Sequence, residues 1–381
     1  MEVSKYGHGM YLTGRCMCNC PLYLLSLSTF SLEMRKLLFI LLSCSLLTGA
    51  ISCSEDFQVT APYKDITFIY GFLDMRDTAH YIRIQKAFLD ENKSAIDMAK
   101  EADSNFYNSL EVRIKELSGT NVVWSDLLTR VDMNQEGYPK DSGVFFSTPN
   151  YAYKFKRPLN ANYKYRLVVS SLATGDVDSS EISIIDTADM EISEIYSTGY
   201  KIRFDRTSPS NLAKFQIVAK AGPDARYLES MLRFHWTEKN LNDGSSTDKS
   251  ANFRFATEPV EKVNAQQCLD VQITSIYAFL RVAIKPAPAG VERYLDSVDL
   301  FVYAGGVDYY NYIATSLIQA GITADQAKPT FTNILGDDVY GMFSTRTIKF
   351  RLNIPIDSTT LDSIQANPLT SPLNVRGFTD H

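Results

Sequence analysis

Hydrophobic and polar positions alternate with a period of two through much of the chain beyond residue 65. Tyr81, Arg83 and Gln85 are interleaved with Ile82 and Ile84, and Leu110 to Leu117 repeats the pattern. A strand with one wet face and one dry face gives this alternation. The same reading predicts strands at 66–72, 79–85, 122–124, 144–146, 151–156, 163–169 and 180–185, separated by Gly, Asn, Asp and Pro turns. A helix is predicted over 94–107, capped by Ser94, with Ile96, Ala99 and Ala102 near helical spacing. Further strands are expected at 200–204, 214–220, 230–238 and 294–303, with a hairpin loop at 240–246. Residues 271–284 are ambiguous, although Ile276, Phe279, Leu280 and Ala283 suit a helix face. Residues 307–320 predict a helix ended by Gly321. No fixed-period repeat is present, so neither a propeller nor a solenoid is expected.

Short strands at this spacing predict a mainly β protein. We expect an immunoglobulin- or transthyretin-like β-sandwich with an inserted helix over 66–188, then a second β-rich domain with one or two helices over 189–381. Composition adds two points. Charged residues make up 22% of the chain and the net charge is −6, a mildly acidic balance without the Lys/Arg clusters that nucleic acid requires. The 22 Tyr and 21 Phe suit half-buried pleated surfaces.

The N-terminal segment has a different pattern. Arg35-Lys36 precedes the apolar stretch Leu37 to Leu47, and small residues follow up to Cys53. This is the layout of a secretory signal peptide. Its apolar stretch is shorter than the roughly 20 residues of a membrane-spanning helix. Met34 stands where such a signal starts, so residues 1–33 read as an upstream extension and 34–52 as the signal. Cys16, Cys18 and Cys20 lie in that extension at every-other spacing, without the second ligand pair of a zinc site, and no metal site is expected. With Cys53 as the first residue after the cut, the segment resembles a bacterial lipoprotein signal, with Ala50 three before the cysteine as in the Bacteroidetes version. The resemblance implies a diacylglycerol on the Cys53 sulfur and a tether over 53–65, attaching the chain to a membrane without spanning it. Ser54-Glu55-Asp56 resembles the export signal that directs such lipoproteins to the outer face of the outer membrane. Cys268 is then the single unlipidated cysteine of the mature body, which excludes an internal disulfide.

Three segments in order carry a further resemblance. They are Arg233-Phe234-His235-Trp236-Thr237-Glu238, then Asp308-Tyr309-Tyr310-Asn311-Tyr312, then Asn333-Ile334-Leu335-Gly336 followed by Gly341-Met342-Phe343. Together they are similar to an uncharacterised family of two-domain, β-rich Bacteroidetes surface lipoproteins. Asp337-Asp338-Val339-Tyr340 replaces the tighter Gly-rich run usual there. The resemblance implies a location, not an activity.

Candidate chemistry is sparse. His80 and His235 lie in strands, outside any Gly-x-Ser-x-Gly elbow or His-Glu-x-x-His helix, and read as packed or half-exposed strand histidines. Asp337-Asp338 reads as a solvated turn rather than an acid/base pair. Asn240, Asn242 and Asp243 lack the spacing and the closing Glu of a calcium loop. Tyr303, Tyr309, Tyr310 and Tyr312 form a candidate sugar-stacking platform. The plainer reading has them anchoring the helix, since Tyr309 and Tyr312 share one helical face. Short Asp-Ser/Thr-apolar segments resemble Bacteroidetes O-glycosylation acceptors; Thr78 and Thr187 are the first two, and Ser297, Ser358 and Ser363 follow. The expected function is a non-enzymatic binding or accessory component at the cell surface, beside an outer-membrane transporter or receptor, with a glycan or peptide ligand and no cofactor. The alternatives are a structural or adhesive surface protein, and a hydrolase built on carboxylates.

Overall fold

A computed structural model describes residues 66–87, 93–195, 197–198, 201–204, 214–260, 262, 264–319 and 331–377. Contacts divide the chain between Ala61 and Pro62, and every described residue belongs to the unit Pro62–His381. Cys53, Ser54, Glu55, Asp56 and Gly321 lie outside the described residues.

The protein is mainly β. The first half contains β1 (Thr67–Leu73), β2 (Ala79–Lys86), β3 (Leu110–Ser118), β4 (Asn121–Leu127), β5 (Thr129–Asp132), β6 (Tyr151–Lys156), β7 (Lys164–Ser171) and β8 (Val177–Ser183). The second contains β9 (Glu191–Ile195), β10 (Ser197–Thr198), β11 (Lys201–Ile202), β12 (Lys214–Lys220), β13 (Tyr227–Asn240), β14 (Ser246–Pro259), β15 (Gln266–Gln272), β16 (Val291–Gly305), β17 (Val339–Pro355) and β18 (Val375–Gly377). A nine-stranded sheet runs β14-β13-β16-β17-β1-β2-β6-β5, with β18 added beside β16. A four-stranded sheet, β4-β3-β7-β8, faces one end of it, and a three-stranded sheet, β15-β12-β9, faces the other.

Two dry cores lie between these layers. The first joins Ile69, Ile82 and Ile84 of the large sheet to Val112, Ile114, Tyr165, Leu167 and Ile182 of the four-stranded sheet. The second gathers Phe204, Phe215, Ile217, Phe234, Trp236, Val298 and Leu300. The chain passes from one to the other in a single step, since Ile184 belongs to the first core and Ile185 to the second. The sandwich-like first half is not completed by 66–188 alone. Ile334, Val339 and Phe343 also fill its core. Strand β17 explains this, pairing parallel with β1 along its first half and antiparallel with β16 along its second.

Asn333 and Gly341 make that splice. The Asn333 amide donates to the Phe343 carbonyl at 2.6 Å and accepts from the Phe343 N–H at 3.0 Å, imitating a strand neighbour with one side chain. Gly341 has φ 129°, and a Cβ there would collide with the Ile69 carbonyl oxygen across the ladder. The Asn-Ile-x-Gly and Gly-x-Phe segments thus serve the fold.

Three local expectations change. The single helix over 94–107 is two short ones, α1 (Ala95–Ala99) and α2 (Ala102–Asn105), with Ser94 capping the first through the Asp97 N–H. Asn105 holds the break, its amide donating to the carbonyls of Met98 and Glu101. Residues 144–146 form no strand. Val144 and Phe145 are exposed in a loop, and Phe146 packs on Phe106 instead. Among the described residues the second half carries three helices, against the one or two expected: α3 (Ile273–Ile284), α4 (Val307–Gln319) and α5 (Ser358–Ala366). Helix α3 resolves the ambiguous segment, burying Ile276 and Leu280 as its apolar spacing requires.

Candidate functional site

Strand β13 shows how one ladder makes both a core and a surface. Phe234 and Trp236 point into the second core, while Arg233, His235 and Thr237 alternate onto the other face. Across the ladder Arg233 pairs with Asn252 and Asp299, and Met231 with Arg254 and Phe301. Phe301 in turn pairs with Phe350, and Tyr303 with Ile348. Cross-strand partners share a face, so these side chains form one row over β14, β13, β16 and β17.

The row is built from rings and guanidinium groups. Phe301 and Tyr303 stack at 6.4 Å between centroids, and Phe350 lies 6.3 Å from Phe301. Arg233 lies over the Phe301 ring at 4.9 Å, held by its Nε donating to Asn252 Oδ1 at 2.9 Å. Arg254 lies over Tyr303 at 5.7 Å and is ion-paired with Glu229. That hydrogen bond raises the arginine pKa further. Phe350 remains 46% exposed and Leu352 51% exposed. Such ring–cation stacks contribute about 0.5–1 kcal/mol each where exposed, and they hold the planes flat against the sheet.

The four tyrosines separate. Tyr303 belongs to the open row. Tyr309 packs edge-on against Phe72 at 5.2 Å and Tyr227 at 5.4 Å. Tyr312 meets Tyr70 edge-on at 6.5 Å. Burial pushes the Tyr309 phenol pKa up, helped by the Glu229 charge. Tyr309 and Tyr312 therefore seat α4 on the sheet rather than join Tyr303 as a platform. Tyr310 is half-buried on the same helix, and among the described residues no ring contact involves it. Gly305 admits the Tyr309 ring, which leaves no room for a Cβ there. Alternation alone could have flagged Arg233; Arg254, Phe301 and Phe350 needed the strand register.

His235 shares this face. Its Nε2 lies 2.8 Å from Asp299 Oδ2, and Asp299 Oδ1 accepts the Asn353 N–H at 2.8 Å. The carboxylate is thus fixed and orients the imidazole. Among the described residues no hydroxyl is hydrogen-bonded to His235, so the pair lacks the third group of a nucleophilic triad. His80 is buried, its Nε2 bonded to the Arg157 carbonyl at 3.0 Å, and burial lowers its pKa.

Carboxylates meet elsewhere. Asp178, Asp176 and Asp337 line a space of about 30 Å³ together with Thr67, Tyr107, Ser171 and Thr174. Burial, then the charges of Asp176 and Asp337, push the Asp178 pKa up to about 6. That volume matches one or two waters rather than a sugar ring. Among the described residues no group of three His, Cys, Asp or Glu has metal-binding geometry.

The glycosylation candidates also separate. Thr78 is exposed in the β1–β2 turn, whereas the Thr187 hydroxyl is bonded to that of Thr347 at 2.6 Å and is thereby engaged. No helix among the described residues is long and apolar enough to cross a membrane.

No protein-family model matches the chain, and no curated protein matches it. Solved structures do match. One is the C-terminal globular domain of an oligosaccharyltransferase from Pyrococcus abyssi, at 8% identity and a TM-score of 0.22. The match covers 58% of this chain and 44% of that one, and at that score it carries no argument about fold or activity.

Proposed function

We propose that this chain is a surface-anchored lipoprotein that binds an extended glycan on the open face of its large sheet. The observation that carries the reading is the row of Arg233, Phe301, Tyr303, Arg254 and Phe350, fixed by stacking and hydrogen bonds, in which Phe301 is a buried base beneath Arg233, Arg233 and Tyr303 are half-buried, and Arg254 and Phe350 are exposed. Flat rings and guanidinium planes offer area to a sugar face at low entropy cost, and the guanidinium edges supply donors for hydroxyl or carboxylate groups. The anchor rests on the signal-like run that ends at Cys53, and the address on Ser54-Glu55-Asp56. A surface binding protein of this kind works beside an outer-membrane transporter or receptor. Binding to immobilised glycans, compared between the wild type and a Tyr303→Ala/Phe350→Ala double variant, tests the site. Loss of binding with an unchanged melting temperature supports it, and equal binding refutes it. Labelled palmitate incorporation, lost on Cys53→Ser, tests the anchor.

One observation favours a structural or adhesive role instead. Strand β4 is a sheet edge, and it exposes Val122, Val123 and Leu127. An exposed apolar edge is a template for pairing with another chain. Light scattering of the purified chain, with and without Val123→Lys, separates that role from glycan binding.

A further inference from the structure

A second, independent site lies on the same sheet, beyond α4. Arg83 of β2 is the direct cross-strand partner of Tyr70, so both project on the face that Tyr312 covers edge-on. The loop that joins β5 to β6 folds back over Arg83. Asn150 from that loop accepts from Arg83 Nη2 at 2.5 Å through its Oδ1. Lys140 comes from the same loop. Its Nζ donates to the Phe146 carbonyl at 3.0 Å and lies 5.2 and 5.1 Å from the ring centroids of Phe145 and Phe146.

Both cations are held by neutral groups. Arg83 has an amide oxygen, and Lys140 a carbonyl and two rings. Among the described residues no carboxylate pairs with either. Of the acids at the end of β5 and in the loop, Asp141 follows Lys140 directly, is exposed and makes no ion pair among the described residues, and the other two are already engaged. Asp132 Oδ1 accepts the backbone N–H groups of Asn134 and Asn150, and Glu136 is ion-paired with Lys154 and takes the Tyr81 hydroxyl. Burial lowers the pKa of Arg83. Burial and then the Arg83 charge lower that of Lys140. Asn150 links the two, accepting from Arg83 and donating through Nδ2 to the Tyr138 carbonyl two residues before Lys140. Two half-buried like charges on one such cluster, without an ion-paired carboxylate among the described residues, are an unfavourable arrangement unless something else neutralises them.

We propose that Arg83 and Lys140, roofed by the loop ending at Asn150, form a binding site for an oxyanion, a carboxylate or phosphate group borne by a ligand on the sheet. Among the described residues only Nη2 of Arg83 is bonded, which leaves Nε and Nη1 for the anion, and Lys140 adds a point charge. The Tyr70 and Tyr312 rings wall the side toward α4.

The test uses the purified whole chain and two probes, inorganic phosphate and sodium acetate, titrated at constant ionic strength against chloride. Melting temperature and calorimetric heat are both read. A rise in melting temperature with either probe, beyond that of chloride, is expected for the wild type. Phosphate alone identifies a tetrahedral ligand group, and acetate identifies a planar one. Arg83→Gln and Lys140→Gln keep a neutral donor for the loop. Each is expected to weaken the anion by about tenfold or more, as loss of one partner of a desolvated charge pair does. Without anion, each variant is expected to melt at or above the wild-type temperature, because the repulsion is gone. Two results overturn the proposal. One is a wild type that responds to neither probe beyond chloride. The other is a pair of variants that melt lower yet respond undiminished, which would make the two cations loop latches only.

Discussion

Replacing Asp178 by asparagine isolates one of the few unfavourable charges in this fold. The side chain is 8% exposed, and its carboxylate faces Asp176 and Asp337 across a space little larger than a water. Its pKa, pushed up to about 6 from an ordinary 3.8, means that the native state holds the proton more tightly than the unfolded chain. Stability from this group is therefore fully present below about pH 3.8, falls as pH rises, and is lost above about pH 6. The gap corresponds to ~3 kcal/mol between the two protonation states. The amide in Asp178→Asn carries no charge at any pH, and its N–H₂ can donate to the neighbouring carboxylates. After allowing for screening by the small solvent space, we expect the variant to gain about 1–2 kcal/mol at pH 7.5 and little or nothing at pH 4. Urea unfolding from pH 4 to 8 measures it. Trp124 packs against the first core and Trp236 lies in the second, and these are the only two tryptophans, so their fluorescence reports on both halves. Parallel stability curves for the two proteins across this range would refute the reasoning.

Three further outcomes follow from packing. Gly341→Ala places a methyl against the Ile69 carbonyl in a backbone conformation that disfavours any side chain, and we expect a loss beyond about 3 kcal/mol, read as insoluble or unfolded protein by circular dichroism. Tyr309→Ala removes the ring wedged between Phe72 and Tyr227. We expect a loss of about 2–4 kcal/mol in urea unfolding and faster amide exchange in α4. Asn333→Ala leaves the Phe343 N–H and carbonyl without their side-chain partner, a loss of about 1–3 kcal/mol by the same assay.

Alternation made the half-wet strands readable. β2, β3, β6, β7 and β12 stand close to where the period-two pattern places them, because each buries one face and wets the other. β17 escaped that reading for a physical reason. Its buried run Gly341 to Thr345 is mostly small or polar, its pairing partners lie far away in sequence, and both faces are covered at the splice. β14 is wet over much of its length as an edge strand, so its polar stretch around Lys249 carries no period. The candidate site was partly readable. Tyr303 was within reach of composition, but separating it from Tyr309 and Tyr312 required knowing which rings α4 covers. The Arg83–Lys140 pair is invisible in sequence, since nothing local says that a loop will fold back over β2.

The splice at β17 also dictates an order of events. The Thr345 hydroxyl donates to the Leu73 carbonyl across 272 residues of chain. A polypeptide emerging from the ribosome N-terminus first presents β1 long before its neighbour exists. The N-terminal half must then wait, open-edged, until nearly the whole chain has been synthesised. Nascent chains halted before residue 339 should remain protease-sensitive throughout, and those released after 355 should become resistant in both halves together.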